Sequence, residues 1–302
     1  MARAYRLLDV FTDRAMAGNP LAVVLDAAGL DATAMQAIAA ELNLSETVFV
    51  HPAEASGSRA RLRIFTPARE LPFAGHPTVG TAVCLALLDP PAQASQEQCF
   101  ALEVPAGRIR CRATADGPRQ GHASILLPVL PSRADAAVDP VLAAETLGVQ
   151  PADVGFDGHA AGVWSAGVPF LLVPLKSGQA VARAQLVAAL LPKLHAQAGT
   201  HGVFVYSREC IEPRHQFHAR MFAPGFGISE DPATGAAVAA LAGQIAAADA
   251  PGEGRNRVIV EQGFEMGRPS LITLELVIED GRLCEASLGG SAVLIGEGRL
   301  YL

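Results

Sequence analysis

The sequence predicts an α+β protein with two pseudo-symmetric halves, each a curved, mostly antiparallel sheet wrapped around a central apolar helix. Two helical stretches, residues 78–88 and 236–248, are apolar on every side, which is typical of helices buried all round. Short alternating segments typical of strands precede and follow each of these helices. Sequence patterns of the first half also recur in the second half in the same order. A strongly curved sheet is the simplest way to bury such a helix.

The recurrence is clearest just before the two apolar helices. Residues 61–67 (RLRIFTP) match residues 218–224 (HARMFAP), and each segment leads through a loop into its helix. Further upstream, the VFV of residues 48–50 matches that of residues 203–205. Matches that keep their order and nearly the same offset indicate a duplicated unit. We therefore expect a first repeat at residues 1–118, completed by a C-terminal strand at residues 283–302, and a second repeat at residues 119–282.

Composition excludes several classes of protein. The 302 residues suffice for two domains, and half of them are hydrophobic, so a sizeable core is expected. A net charge of −7 without a basic run argues against a nucleic-acid partner. An early, charged N-terminus and the lack of an uncharged run of about 18 apolar residues argue against a signal peptide and a membrane span. The five cysteines are scattered, as is typical of reduced thiols, and predict a cytoplasmic protein.

The first half contains two predicted helices among its strands. The helix at residues 31–42 places Met35, Ile38 and Leu42 on one face, and the helix at residues 78–88 is the central one. Gly18-Asn19-Pro20 predicts a turn between the first two strands. The predicted strands are residues 5–11, 21–25, 47–50, 59–65, 98–104, 107–114 and 121–127.

The second half follows the same plan with more helix before its central helix. We predict helices at residues 140–147 and 181–197, with Pro192 as the point where the second can split. Gly289-Gly290 separates the last two predicted strands. The predicted strands are residues 162–166, 170–174, 202–206, 214–222, 256–262, 270–278, 283–288 and 292–296.

Polar residues that are candidates for catalysis or binding lie in the loops that lead into the two central helices. Gly75-His76 precedes the first helix and Glu230-Asp231 precedes the second. Helix N-termini carry unpaired N–H groups and a positive dipole end, and both favour a bound anion. If each sheet wraps its helix, both N-termini point into a cleft between the halves, which is a common place for a ligand.

Glu46 is a third candidate, because it lies where the first surface helix gives way to a strand. A less specific interpretation exists for each residue: a solvated turn for Glu46, a histidine bonded to local backbone for His76, and a helix N-cap for Asp231. Together, a histidine and two carboxylates near two helix N-termini suit proton transfer beside a bound carboxylate.

Four segments carry a family resemblance. NLSETVFV at residues 43–50, IFTPARELPFAGHPTVGTA at 64–82, RMFAP with DPATGAA over 220–237, and GGSAV at 289–293 strongly resemble the PhzF phenazine-biosynthesis family. The resemblance covers the whole chain. It implies a diaminopimelate epimerase-like fold, isomerisation or epimerisation without a cofactor or metal, and a homodimer. The family's type member shifts a proton on a dihydro-hydroxyanthranilate ring.

The resemblance also implies roles for individual residues. Glu46 would be the acid/base that moves the proton, with His76 and Asp231 as assisting polar groups. Gly75 would leave room for the substrate. The substrate carboxylate would dock at the helix N-termini, near three residues of the matching motifs, Thr78, Thr234 and Gly235.

Two departures limit what the resemblance implies. Thiol-using epimerases of the superfamily have cysteines at the positions of Gly75 and Asp231, so a two-thiol mechanism is not expected here. Cys84 is the closest thiol, and it lies well inside a helix. Ala236 stands where the family motif has serine, so the type member's substrate does not carry over directly.

Two other classes of function compete with an isomerase. A small-anion binding protein would keep the same fold and helix N-termini without chemistry. A metal-dependent hydrolase is suggested by Glu212, His215 and His218. We expect a strand there, and residues three apart on a strand point to opposite faces, which argues against a shared metal.

Overall fold

The computed structural model describes residues 2–90, 96–226 and 228–302. The chain divides into two compact units. Unit 1 is Met1–Pro128 with Gly289–Leu302, and unit 2 is Val129–Leu288. The first unit extends beyond the boundary expected at residue 118, because a strand at residues 120–126 pairs with its predecessor at residues 107–115. No helix in the described part of the chain is both long enough and apolar enough to span a membrane.

Unit 1 is a mixed sheet, in which most neighbouring strands are antiparallel. Its helices are α1 (Ala32–Leu42) and α2 (Gly75–Leu88). Its strands are β1 (Ala2–Val10), β2 (Asn19–Val24), β3 (Glu46–His51), β4 (Ser58–Phe65), β5 (Glu70–Leu71), β6 (Gln98–Val104), β7 (Gly107–Ala115), β8 (Gln120–Leu126) and the part of β17 (Arg282–Tyr301) from Gly289 onward. The pairs β2–β3 and β4–β6 are parallel, and β1 lies between β2 and β17.

Helix α2 is the centre of unit 1. Every residue from Gly75 to Ala86 is buried, and the helix packs against β1, β2, β3, β7 and β8. The sheet therefore curves around it. Helix α1 lies elsewhere on the unit. Asp31 caps it by accepting the N–H of Ala34 at 2.8 Å, and Met35 and Ile38 pack in a separate apolar cluster with Phe49.

Unit 2 repeats the same succession of pairings. The helices are α3 (Pro140–Thr146), α4 (Gly178–Arg183), α5 (Leu191–Ala198) and α6 (Gly235–Ala248). The strands are β9 (Ser132–Arg133), β10 (Gly162–Ser165), β11 (Pro169–Pro174), β12 (Val203–Ser207), β13 (Phe217–Ala223), β14 (Ile228–Asp231), β15 (Gly254–Gln262) and β16 (Ser270–Glu279). The pairings follow the order seen in unit 1: a parallel pair (β11–β12), an antiparallel pair (β12–β13), a short antiparallel partner (β14), a parallel pair (β13–β15) and a final antiparallel pair (β15–β16).

Helix α6 is the buried helix of unit 2. It packs against β9, β10, β11 and β16, and its residues from Ala237 to Ile245 are buried. Helices α3, α4 and α5 form a second apolar cluster with the β11–β12 pair. The connection between these parallel strands is thus helical, as is the α1 connection between β2 and β3 in unit 1.

Three predicted element boundaries were wrong. Helix α2 begins at Gly75 rather than at residue 78, because Pro77 is tolerated in a first helical turn. The helix expected over residues 181–197 is two helices, and they separate before Pro192. The N–H groups of Gln185 and Val187 bond the carbonyls of Leu147 and Thr146 at 2.9 and 2.8 Å instead of continuing the helix.

The two strands expected at residues 283–288 and 292–296 are one strand, β17. Gly289 does not mark a turn. A Cβ atom there would lie 2.7 Å from the Ala123 carbonyl oxygen, so this glycine allows a close backbone approach to β8. The short strands β5, β9 and β14 were not predicted, because two to four residues carry too little periodicity.

Candidate active site

Three polar residues of unit 1 meet at the N-terminus of α2. Glu46 is the first residue of β3, and Asn19 is the first residue of the parallel neighbour β2. His76 lies in the first turn of α2. The Glu46 Oε2 and His76 Nε2 atoms are 3.3 Å apart, and the Asn19 Nδ2 and His76 Nδ1 atoms are 3.4 Å apart. The imidazole therefore lies between a carboxylate and an amide.

This group is nearly sealed from solvent. Asn19 is fully buried, His76 is 4% exposed, and the Glu46 side chain is 13% exposed. The solvated turn considered for Glu46 is therefore not what the structure shows. Burial lowers the pKa of His76 to about 3, because the charged imidazolium is disfavoured away from water. His76 is consequently neutral near pH 7, with one N–H donor and one acceptor.

The contact between Glu46 and His76 is close but poorly aligned. The His76 Nε2 atom is buried and makes no aligned hydrogen bond within the described residues. Buried polar atoms without an aligned partner are uncommon in proteins, and a catalytic role is one explanation for them. Catalytic hydrogen bonds are often long in the absence of substrate and become well aligned only in its complex.

Two glycines set the position of this group. Gly18 has φ +65°, and a Cβ atom there would lie 2.3 Å from the Val10 carbonyl oxygen. The turn before Asn19 therefore requires glycine. In α2, a Cβ atom on Gly80 would lie 2.6 Å from both the Leu21 and Val10 side chains, so Gly80 allows the helix to approach β1 and β2 closely.

The first turn of α2 contains the other predicted residues of unit 1. The Thr78 hydroxyl donates to the Ala74 carbonyl at 2.7 Å, so its proton is committed within the turn. The N–H groups of Gly75 and His76 have no acceptor within the described chain, as expected for the start of a helix. A substrate carboxylate could accept from these two groups, and docking at Gly75 and Thr78 stays a prediction.

In unit 2 the predicted residues surround the N-terminus of α6. Thr234 is the N-cap of this helix, and its hydroxyl donates to Asp231 Oδ2 at 2.5 Å. Asp231 lies at the end of β14 and is not the N-cap of α6, so the interpretation of Asp231 as a helix N-cap was wrong. Gly235 is the first helical residue. Its N–H and that of Ala236 donate to no acceptor in the part of unit 2 that the structure describes.

Gln262 belongs to this group and was missed in the sequence. Its Oε1 accepts the N–H of Thr234 at 3.0 Å, and its Nε2 donates to the Asp231 carbonyl at 2.7 Å. Gln262 is fully buried at the end of β15. The available signal was a pair of polar residues, Glu261-Gln262, at the end of an apolar strand.

The predicted acidic pair Glu230-Asp231 separates into two roles. The Glu230 carboxylate accepts two bonds from Arg220, from Nε at 2.8 Å and from Nη2 at 2.9 Å. Arg220 also donates from Nη1 to the carbonyls of Val181, Ala182 and Ala184. Glu230 is therefore part of a largely shielded structural pair, and only Asp231 of the two contacts the N-terminus of α6.

The expectation that His215 and His218 point to opposite faces of a strand was wrong. Residue 215 precedes β13, so the strand rule does not apply, and both histidines bond the Glu261 carboxylate, at 2.7 and 3.0 Å. Burial alone would lower the pKa of His218, but bonds to Glu261 and Glu265 raise it to about 9. Burial would raise the pKa of Glu261, but the bond from His218 and two backbone N–H groups lower it to about 2.

This histidine–glutamate cluster is a network of charge pairs. Within the described residues, no group of three or more His, Cys, Asp or Glu is placed to hold a metal ion. Cys84 is free and buried in the middle of α2, where burial raises its pKa to about 11. A thiol in that state is a poor nucleophile or base at neutral pH.

Comparison with known proteins agrees with this fold. A family model described as "Phenazine biosynthesis-like protein" (PhzC-PhzF) matches residues 8–298. The chain is 46% identical to an uncharacterized isomerase of Mesorhizobium japonicum and 32% identical to trans-2,3-dihydro-3-hydroxyanthranilate isomerase of Pseudomonas chlororaphis, in each case over 99% of both chains. A crystal structure of a PhzF-family phenazine biosynthesis protein from Bacillus anthracis has the same fold, with a TM-score of 0.87, 24% identity and 100% of both chains covered.

Proposed function

The chain belongs to the PhzC-PhzF family of phenazine biosynthesis-like proteins, and we propose that it is an isomerase that moves a proton on a small carboxylate-bearing substrate. General acid–base catalysis would perform the step without a cofactor, with Glu46 as the group that takes the proton from one carbon and returns it to another. The relatives named as isomerases support this class of reaction.

One observation carries the proposal: the Glu46 carboxylate lies 3.3 Å from a buried, neutral imidazole. A carboxylate that is mostly shielded from water, beside a hydrogen-bond donor that does not itself become charged, is suited to accept and return a proton. Because the pKa of His76 is about 3, that imidazole cannot take the proton from Glu46 near neutral pH. The proton would therefore stay on Glu46 until it returns to the substrate.

The remaining residues complete the proposal. We expect Asp231 to assist the proton transfer, and Gly75, Thr78, Thr234 and Gly235 to bind the substrate carboxylate at helix N-termini. Backbone N–H groups at a helix start suit an anion of this kind. The repeated strand pairings support the view that the chain is a duplication of one unit, and the resemblance to the family supports a homodimer.

Solvent-deuterium exchange tests the proposal. The protein is incubated in D₂O with a panel of small cyclic and amino-acid carboxylates, which includes trans-2,3-dihydro-3-hydroxyanthranilate, and deuterium uptake and rearrangement are followed by mass spectrometry and NMR. We expect Glu46→Gln to lower turnover by roughly 10²–10⁴-fold while the substrate still binds, because the amide keeps the shape and loses the proton.

Glu41→Gln is the matched control. Glu41 is an exposed residue of α1 in the same unit, so the same chemical change there should leave turnover unaffected. Unchanged turnover in Glu46→Gln would remove Glu46 from the mechanism. A panel member that binds to the wild type without exchange or rearrangement would favour the second candidate, a small-anion binding protein, which the free N–H groups at the start of α2 and α6 also support.

A further inference from the structure

We infer that Asn19 is a positioning residue that holds the proton of His76 on Nε2, so that the imidazole presents a donor, and never a base, to the Glu46 carboxylate. The inference rests on the proposed role of Glu46. It adds a residue that neither the motifs nor the charged groups of the sequence point to.

The chemistry of the amide group dictates the tautomer. The Asn19 Nδ2 atom lies 3.4 Å from His76 Nδ1, and an amide nitrogen can only donate. The Nδ1 atom must therefore be the acceptor. A neutral imidazole has only one N–H, so its proton lies on Nε2, the atom that is 3.3 Å from Glu46 Oε2. In the other tautomer, with the proton on Nδ1, a lone pair of His76 Nε2 would face a lone pair of Glu46 Oε2.

The fold holds Asn19 where this contact needs it. Its backbone pairs with Val10 at the end of β1, and the following Pro20 restricts it to an extended conformation. Gly18 makes the turn before it, at φ +65° and with no room for a side chain. Asn19 is fully buried, so the position of its amide does not depend on solvent. A residue held in this way can determine which nitrogen of a neighbouring ring is protonated.

The tautomer has a consequence for the reaction. A fixed Nε2–H donor stabilises the ionised carboxylate, which is the form of Glu46 that can accept a proton. When Glu46 takes the proton from the substrate carbon, the C–H electron pair stays on the substrate and the His76 proton stays on Nε2. Returning the proton to another carbon restores every group, so no proton leaves through the imidazole.

Nitrogen NMR tests the inference directly. The substrate-free protein is labelled with ¹⁵N-histidine, and the His76 signals are assigned by their loss in His76→Gln. We expect the wild type to show a neutral ring with the proton on Nε2. Asn19→Asp replaces the donor by an acceptor of the same shape, so we expect a proton on Nδ1, either in place of the Nε2 proton or in addition to it. Turnover should fall by about 10²-fold, with a larger change in kcat than in KM.

Asn256→Asp is the control, because it makes the same chemical change in unit 2 at a residue whose side-chain amide bonds the carbonyls of Gly252 and Gly254. It should alter neither the His76 signals nor turnover. A wild-type ring protonated on Nδ1 would overturn the inference, even if no Asn19 variant folds. Folded Asn19→Asp without a proton on Nδ1 would also overturn it. These outcomes leave the role of Glu46 untouched, because that role is decided separately by turnover of Glu46→Gln.

Discussion

At the scale of single residues, His76 is almost completely buried and has two polar neighbours, Asn19 and Glu46. The sequence identified His76 and Glu46 as candidates because each lies next to a predicted boundary of a helix. It could not identify Asn19, because an asparagine between glycine and proline is what an ordinary turn requires. The contact that makes Asn19 relevant joins residues 57 positions apart, and only the fold brings them together.

The buried imidazole predicts a pH dependence of stability. Its folded-state pKa of about 3 is lower than its ordinary value of 6.5, so below pH 6.5 the unfolded chain binds a proton that the folded chain does not. The free energy of unfolding should therefore fall as the pH is lowered from 6.5 towards 3, by about 1.4 kcal/mol per pH unit in the middle of this window. Above pH 6.5 both states are neutral and the effect vanishes.

Urea denaturation between pH 7 and pH 4 measures this effect. The wild type and His76→Gln share all other titrating groups, including Glu46, so the difference between their pH slopes isolates His76. We expect the slope of the variant to be smaller by about one proton. Identical slopes in the two proteins would show that His76 is protonated in the folded state and would contradict the proposed neutral donor.

At the scale of secondary-structure elements, the two buried helices could be predicted and their exact beginnings could not. An apolar pattern on all sides identified α2 and α6 without any tertiary information. The first turn of α2 was missed because Gly75-His76-Pro77 has the composition of a loop. That error matters for function. The prediction placed His76 in a loop, whereas the structure places it in the first turn of a helix.

Gly80 predicts how closely α2 must approach its sheet. Alanine is the better helix former by about 1 kcal/mol, but a Cβ atom at residue 80 would lie 2.6 Å from Leu21 and Val10. Overpacking typically costs about 1–3 kcal/mol, so we expect Gly80→Ala to lower the free energy of unfolding by about 1–2 kcal/mol. Turnover should also fall, because the same approach brings His76 towards Asn19.

Gly117→Ala is the comparison for this experiment, since a Cβ atom there meets nothing within 4 Å. Both variants are measured by urea denaturation and by the exchange assay. If Gly80→Ala proves more stable than the wild type, the helix has room to move and the close approach does not position the site.

At the scale of the whole molecule, each unit contains an arginine–glutamate pair in the corresponding place. Arg63 on β4 bonds both carboxylate oxygens of Glu70, and Arg220 on β13 does the same with Glu230. Each guanidinium also lies over a phenylalanine ring two residues further along its strand, at 5.2 and 4.8 Å from the ring centroid. The sequence pattern indicated the two strands but not these pairs, because the two glutamates stand at different distances from their arginines.

The two pairs should differ in strength. The Arg220 side chain is 9% exposed and also bonds three backbone carbonyls, whereas the Arg63 side chain is 22% exposed. Arg220→Met leaves the largely shielded Glu230 carboxylate and the carbonyls of Ala182 and Ala184 without this donor, and it should lower the free energy of unfolding by about 3–5 kcal/mol. Arg63→Met should cost about 1 kcal/mol. Denaturation of the two variants side by side is the measurement, and equal costs would mean that burial does not separate the two pairs.

Strand β17 has a consequence for how the protein is made. Its pairing with β1, from Ala2 with Tyr301 to Val10 with Ala292, joins the two ends of the described chain. During synthesis, β1 therefore remains without its partner strand β17 until all of unit 2 has been translated. The edge of β1 stays open for that whole time and can pair with other nascent chains. A chaperone that shields this edge of β1 would therefore act during synthesis, before the finished protein can bind substrate.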